Sequence, residues 1–328
     1  MNCFSSIPAS NSCATFIAPE KPPFQRLRSS HKSPGLTPRA RTAVMQFASS
    51  KTNWIPKLIA SDVDGTLLNS SQQLSPCVRD SIRKASEAGV PLVVATGKAR
   101  GPWTEAVLPQ LGEPTPGVYL QGCLIYDEQG KLLYSRDLEA DICRDVVAFA
   151  RREGLTLTAY CGERILCEEV NDQTDRLLFY KEPTPEGVGP LESILGEVPV
   201  QKMIFMAEQE RIDEIRPLAE KLLAGRASLT TALTGMLEVL PLGASKGEGV
   251  RMLLERLQVD PEDVLGMGDG ENDIEMLKLV GLGVAMGNGK QIVKEVADAV
   301  APSNDDDGVA WAIEQYVLEP LERLSVPS

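Results

Sequence analysis

The chain predicts an α/β fold: a Rossmann-like, doubly wound parallel sheet interrupted by an inserted α/β cap. Three observations carry that prediction. Short apolar runs at 58–61, 90–95 and 264–268 each stop at a turn holding glycine and polar residues. Segments with helical spacing follow them, the pattern of repeated strand–helix units. A long stretch, residues 134–236, separates the second run from the third and has its own alternation of helices and strands.

The first run, Leu58-Ile59-Ala60-Ser61, leads into Asp62-Val63-Asp64-Gly65-Thr66. Such a run is a buried strand, and in an open α/β sheet ligands bind at the carboxyl ends of the strands. Residues at i and i+2 of an extended chain point the same way, so Asp62 and Asp64 can converge on one site. Gly65 allows the tight turn that lets a substrate approach. Two converging carboxylates suit a hard divalent cation, or a nucleophile working beside a general acid. A calcium loop opening at Asp62 would need glycine sixth and glutamate twelfth; here glycine comes fourth and Gln73 twelfth, so that reading fails. A solvated strand-to-turn junction is the plain alternative.

Ser75-Pro76 then starts a helix, with serine as N-cap and proline in the first turn. Val78, Ile82 and Ala85 mark its buried face and Gly89 ends it. The strand at 90–95 runs into Thr96-Gly97-Lys98, and a helix begins near Trp103. A strand at 118–120 ends in Gln121-Gly122, and Asp127-Glu128-Gln129-Gly130 is a hairpin turn. Within the insert, helices are expected at 138–153 and 211–224, and strands near 155–160, 164–168, 201–207 and 236–240. The proline- and glycine-rich stretch 182–187 is expected to be a loop. The core resumes at about Leu237 with Ala244-Ser245-Lys246-Gly247 ahead of a helix. The strand and turn Val264 to Asp273 follow, then a strand at 282–285. The division is therefore 1–50, 51–133 with 237–328 as the core, and 134–236 as the cap.

The turn Gly268-Asp269-Gly270-Glu271-Asn272-Asp273 packs two more carboxylates and an amide between a strand and a helix carrying Ile274, Met276 and Leu277. Taken in order, the Asp62, Thr96, Lys246 and Asp269 segments supply nucleophile and acid carboxylates, a hydroxyl and amide for phosphate, a cation and metal-binding carboxylates. In this order they resemble the haloacid dehalogenase superfamily of phosphohydrolases. Asp62-Val63-Asp64-Gly65-Thr66 matches its first motif, Thr96 its second, Lys246 its third and the Asp269 turn its fourth. The Gly-Asp-Gly-x-Asn-Asp form, with Met276 after it and Ser303 to Ala310 near the end, resembles the Cof-type phosphatases with a C2B-type cap. The variants Lys98, where arginine is more usual, and Gln121-Gly122-Cys123, where Asn-Gly-Ala is more usual, resemble the plant plastid-targeted branch.

That resemblance implies a Mg²⁺-dependent phosphomonoesterase acting on a small phosphorylated metabolite, a sugar phosphate or a nucleotide- or cofactor-like phosphate. Asp62 would be the nucleophile, forming an aspartyl-phosphate, and Asp64 the general acid/base. Lys246, Thr96, the Gly97 amide and Asn272 would hold the phosphate. The metal would take the Asp62 and Asp269 carboxylates and the Asp64 backbone carbonyl, with Asp273 in support. A phosphotransferase or mutase on the same core, and a catalytically silent regulatory binding protein, are the alternatives. Retention of both aspartates, Lys246 and Asp269 argues against the silent one.

Composition fits a globular enzyme: 43% hydrophobic and 24% charged residues. No run of 18 apolar residues exists, so no membrane span is expected. The net charge is −13, and the first fifty residues hold Lys21, Arg26, Arg28, Lys32, Arg39 and Arg41 against Glu20 alone. The remainder is thus more acidic still, and nucleic acid is not an expected partner. The basic, serine- and proline-rich start predicts a disordered transit peptide. A chloroplast destination, the stroma, is favoured over the mitochondrion because no arginine-rich amphipathic helix is evident; an ordinary disordered tail is the alternative. Of seven cysteines, Cys3 and Cys13 lie in that segment; Cys77, Cys123, Cys143, Cys161 and Cys167 lack metal-ligand spacing and are expected to be reduced thiols. The single histidine, His31, also lies in that segment. A mature chain without histidine has no serine–histidine or cysteine–histidine mechanism, which fits carboxylate chemistry.

Overall fold

Both faces of the first strand, β1 (Leu58–Ser61), are covered, and the alternation of its side chains shows how. Ile59 joins a core with Val78, Ile82 and Ala85 of the helix Pro76–Glu87, while Leu58 and Ala60 join another with Val250, Leu253 and Leu254 of the helix Lys246–Leu257. A strand buried on both faces reads as a continuous apolar run, the mark of a parallel sheet layered between helices. The computed structural model describes residues 54–325; the expected transit peptide lies outside the described residues.

Around β1 the core sheet adds β2 (Leu92–Ala95), β3 (Gly117–Tyr119), β4 (Leu124–Tyr126) and β5 (Leu132–Ser135) on one side. The second sheet is built from β6 (Thr156–Cys161), β7 (Arg164–Cys167), β8 (Pro185–Gly187), β9 (Lys202–Met206), β10 (Ala227–Thr230) and β11 (Met236–Pro241). The chain then returns to the core for β12 (Val264–Gly268), β13 (Leu282–Ala285) and β14 (Ala299–Val300). The core sheet runs β14-β13-β12-β1-β2-β3-β4-β5. From β14 to β3 neighbours are parallel, and β4 and β5 add an antiparallel hairpin edge. Strand order reverses between β12 and β1, so their carboxyl ends form the topological switch point, where an open α/β sheet leaves a crevice.

The cap sheet runs β10-β11-β9-β6-β7-β8. Its period of two separates two environments. Met203, Phe205, Leu237 and Val239 pack under the helices Ala140–Glu153 and Gln209–Leu223. Ile204, Met206, Met236 and Leu240 join the core-side cluster instead. Those two helices cover one face of the cap sheet, and the other face turns toward the core.

Several expectations need correction. A boundary between residues 236 and 237 cuts β11, which pairs with β9 and β10 and belongs wholly to the cap sheet. The stretch 182–187 is not all loop: β8 pairs in parallel with β7, despite its proline and glycine, because it is an edge strand. A helix at Asp172–Phe179, capped by the Asn171 side chain, and strand β10 were not expected. The Ser75 hydroxyl caps the first core helix by accepting from the Val78 amide at 3.1 Å. The five described cysteines are free, and burial pushes the Cys123 and Cys143 thiols up to about 12, where they stay protonated. Among the described residues no helix is long and apolar enough to cross a membrane.

Candidate active site

Register brings the site together. Ser61 lies opposite Met267 and Val94, so Asp62, Asp269 and Thr96 emerge side by side from three adjacent strands. The Asp62 amide continues the ladder to the Met267 carbonyl at 3.0 Å. Gly65 turns the chain at φ +76°, and a side chain there would strike the Asp269 carboxylate at 2.5 Å. Thr66 donates to Asp269 at 3.2 Å, which ties the first turn to the fourth-motif turn.

Lys246 comes in from the opposite face, in the first turn of its helix, and is 1% exposed. Its ammonium donates to Asp62, and to Asp273 at 2.7 Å. The other Asp273 oxygen accepts from the amides of Asp269 and Gly270 at 3.0 and 2.9 Å, so this carboxylate shapes the turn. The depth of Lys246 is set by backbone contact between two glycines. A Cβ on Gly122 would lie 2.1 Å from the Ser245 carbonyl oxygen, and one on Gly249 would lie 2.7 Å from the Gly122 Cα.

Oxygens of Asp62, Asp269 and Asp273 lie within 4.8 Å of one another. Burial, with repulsion from Asp273 and Asp269, raises the Asp62 pKa well above the usual carboxylate range, and Lys246 opposes this. Asp269 is pushed up to about 6 by burial and by Asp273. Burial disfavours the Lys246 charge, yet Asp273 and Asp62 outweigh it and raise its pKa. Three clustered carboxylates beside one ammonium leave negative charge uncompensated. An all-oxygen donor set with excess charge fits a hard divalent cation, which would restore Asp62 and Asp269 to their ionised forms.

Asp64 is not one of that cluster. It is partly exposed and pairs with Lys98 at 3.0 Å. Lys98 also donates to the Tyr180 carbonyl of the cap, so the residue after Thr-Gly links the core to its lid. Thr96 is 1% exposed and its hydroxyl accepts from the Lys98 amide at 3.1 Å. Asp62, Asp64, Gly97, Asp269 and Asn272 line one cavity, and Lys246 lines another that also includes Gln121 and Asn272.

The cap also brings polar groups to the site. Tyr160, Glu182, Lys202 and Glu238 line the first of these cavities. Glu182 accepts from the Ala99 amide at 3.0 Å, and burial pushes its carboxyl up to about 7 against the pull of Lys98 and Lys202. Lys202 pairs with Glu238 at 3.0 Å, both almost fully buried. The available signal was a charged residue at an inward position of an otherwise apolar strand, in β9 and again in β11.

The chain thus has a doubly wound core with an acid-rich centre at its switch point, roofed by a second sheet. Residues 59–313 match the haloacid dehalogenase-like hydrolase family. The endoribonuclease YBEY, chloroplastic, of Arabidopsis thaliana is 40% identical over 268 residues; the match covers 78% of this chain but 46% of that protein, so the chain spans about half its length. The 5-amino-6-(5-phospho-D-ribitylamino)uracil phosphatase YcsE of Bacillus subtilis is 31% identical over 262 residues, 80% of this chain and 96% of that one. A haloacid dehalogenase-like hydrolase from Bacteroides thetaiotaomicron superposes with a TM-score of 0.70 at 28% identity, covering 79% of this chain and 99% of the other. The chain belongs to the haloacid dehalogenase-like hydrolases.

Proposed function

We propose that the protein is a Mg²⁺-dependent phosphomonoesterase that hydrolyses a small phosphorylated metabolite through an aspartyl-phosphate on Asp62. The observation that carries this reading is the Asp62 carboxylate, held by Lys246 at the end of β1 beside Asp269 and Asp273. Phosphoryl transfer depends mainly on positioning and on neutralising charge. Bound Mg²⁺ would screen the repulsion between carboxylate and phosphate, held by Asp62, Asp269 and the Asp64 carbonyl with Asp273 behind.

The Asp62 carboxylate attacks phosphorus in line, and the leaving oxygen takes a proton from Asp64. Asp64 then removes a proton from water, which attacks the same phosphorus, releases orthophosphate and regenerates Asp62. Lys246, the Gly97 amide, Thr96 and Asn272 hold the phosphate oxygens. The location of Asp64 supports its role, because it sits where core meets cap and where a leaving group would emerge. Sugar phosphates and ribityl- or nucleotide-like phosphates are the substrate classes, supported by the likeness to the uracil-ribityl phosphatase. The cap, residues 136–241 on the observed strands, would select among them. A chloroplast location is supported by the basic, serine-rich start and by the chloroplastic relative.

The test is orthophosphate release from a broad panel of phosphomonoesters, with Mg²⁺ and with chelator. Turnover that disappears with chelator and returns with Mg²⁺ is expected. Phosphate passing to a sugar hydroxyl instead of water would favour the transferase, and no turnover of any ester would overturn the reading.

A further inference from the structure

A buried polar chain joins the cap sheet to two segments of the proposed phosphate site. Gln121 is fully buried, and both ends of its amide are used. Its Nε2 donates to Glu238 of the cap at 2.7 Å, and its Oε1 accepts from the Asn272 side chain at 3.1 Å. The second oxygen of Glu238 accepts from Lys202 at 3.0 Å, and Lys202 also donates to the Gly97 carbonyl at 2.6 Å. Gly97 and Asn272 are thus tied to each other through three side chains, two of them from the cap.

The backbone at Gln121 is unusual in the same place. Leu120 and Gln121 have φ of +47° and +58°, a region that residues with a Cβ rarely occupy, followed by Gly122 at +89°. Such conformations persist when surrounding contacts hold them, and they gather at functional sites. A methyl group on Gly97 would lie 2.5 Å from the Gln121 amide nitrogen, so the amide rests against the phosphate loop.

We propose that Gln121 is a positioning residue: through Glu238 it makes the placement of Asn272 depend on the docked cap. This rests on the phosphatase reading, since Asn272 matters here as a holder of the phosphate. Gln121 is not needed to keep the cap in place. Arg216 of the cap grips Glu271 with two bonds of 2.7 and 3.1 Å, and Glu182 holds the Ala99 amide. Losing Gln121 should therefore misplace Asn272 under a cap that remains docked.

The experiment compares wild type, Gln121→Glu, Glu238→Gln and the double variant, each checked for folding by thermal melting. Gln121→Glu sets two carboxylates against each other, and kcat on a small aryl phosphate should fall about tenfold or more. The double variant restores one amide and one carboxylate with the direction reversed, and should recover to within about threefold of wild type. Should Gln121→Glu fail to fold, Gln121→Ala removes both bonds without repulsion and should show the same loss in kcat. A double variant as slow as the worse single one, or an unaltered Gln121→Ala, overturns the proposal. Orthophosphate affinity by calorimetry with Mg²⁺ should follow the same order, and it tests this inference even if wild type turns over no ester. Equal affinities in all four proteins would then refute it, while absent turnover alone would refute only the phosphatase reading.

Discussion

On the core wall of the cleft, Asp62 and Asp269 follow directly after β1 and β12. On the cap wall, Tyr160, Lys202 and Glu238 lie inside β6, β9 and β11. The core side chains are held by other groups of the core: Asp273 takes two amides, Asp62 the Lys246 ammonium and Asp269 the Thr66 hydroxyl. The cap side chains are held chiefly by one another and by groups of the core, as Lys202 is by Glu238 and the Gly97 carbonyl. Groups held within the core keep their partners whether the cap is docked or not, whereas the cap's groups find full hydrogen bonding only in the docked arrangement. The core wall is suited to fixed chemistry and the cap wall to recognition that can open and close.

The sharpest way to break that division is at the core wall. Asp62→Asn removes the proposed nucleophile, and kcat should fall by more than about 10⁴-fold on every substrate. Single-turnover phosphate release checks this, and a loss smaller than about a hundredfold would move nucleophilic attack to another group.

Asp64 stands between the walls and should respond to the leaving group. With Asp64→Asn, alkyl phosphates should lose about 10²- to 10⁴-fold in kcat, while an activated aryl phosphate, whose leaving group needs no proton, loses far less. Equal losses on both would remove the general-acid role.

Lys246→Met tests whether the core wall is electrostatically locked. It strands Asp62 and Asp273 without their buried partner, and should cost about 3–5 kcal/mol in urea denaturation. Added Mg²⁺ should return part of that loss, because a cation can replace the missing charge.

The smallest effect belongs to the cap. Glu182 has a folded pKa of about 7 against an ordinary 4.5, so its contribution to stability is complete below 4.5 and is lost as pH rises through about 7. Glu182→Gln cannot ionise. Between pH 5 and 8 the urea midpoint of wild type should therefore fall relative to that of the variant, and parallel curves would show that the carboxyl titrates normally.

The same division explains what was legible in the sequence. Strand ends announce themselves: an apolar run that stops at aspartate and glycine marks a place where backbone leaves the core, and Asp62, Asp64, Asp269 and Asn272 were found that way. Lys246 needed its serine cap and the ordered set of motifs. Lys202 and Glu238 were hidden, because a single charge inside an apolar strand is a local exception to patterning until its partner across the sheet is known. The cap boundary was missed for a related reason. Pairing decides which sheet β11 joins, and pairing is a long-range contact that no window of sequence contains. Asn171 and Thr174 cap a short helix reciprocally, yet its few apolar positions gave too weak a period to distinguish it from a loop.

The contact between Gly122 and Gly249 reaches beyond packing. These two positions carry no charge and touch no substrate, yet they act as the gauge that sets how far the Lys246 ammonium enters the site. Even one extra carbon at either would force the Lys246 helix and the Gln121 turn apart, displacing the cation and the amide together. A screen for inactivating substitutions should therefore find intolerance at these two positions comparable to that at the carboxylates themselves.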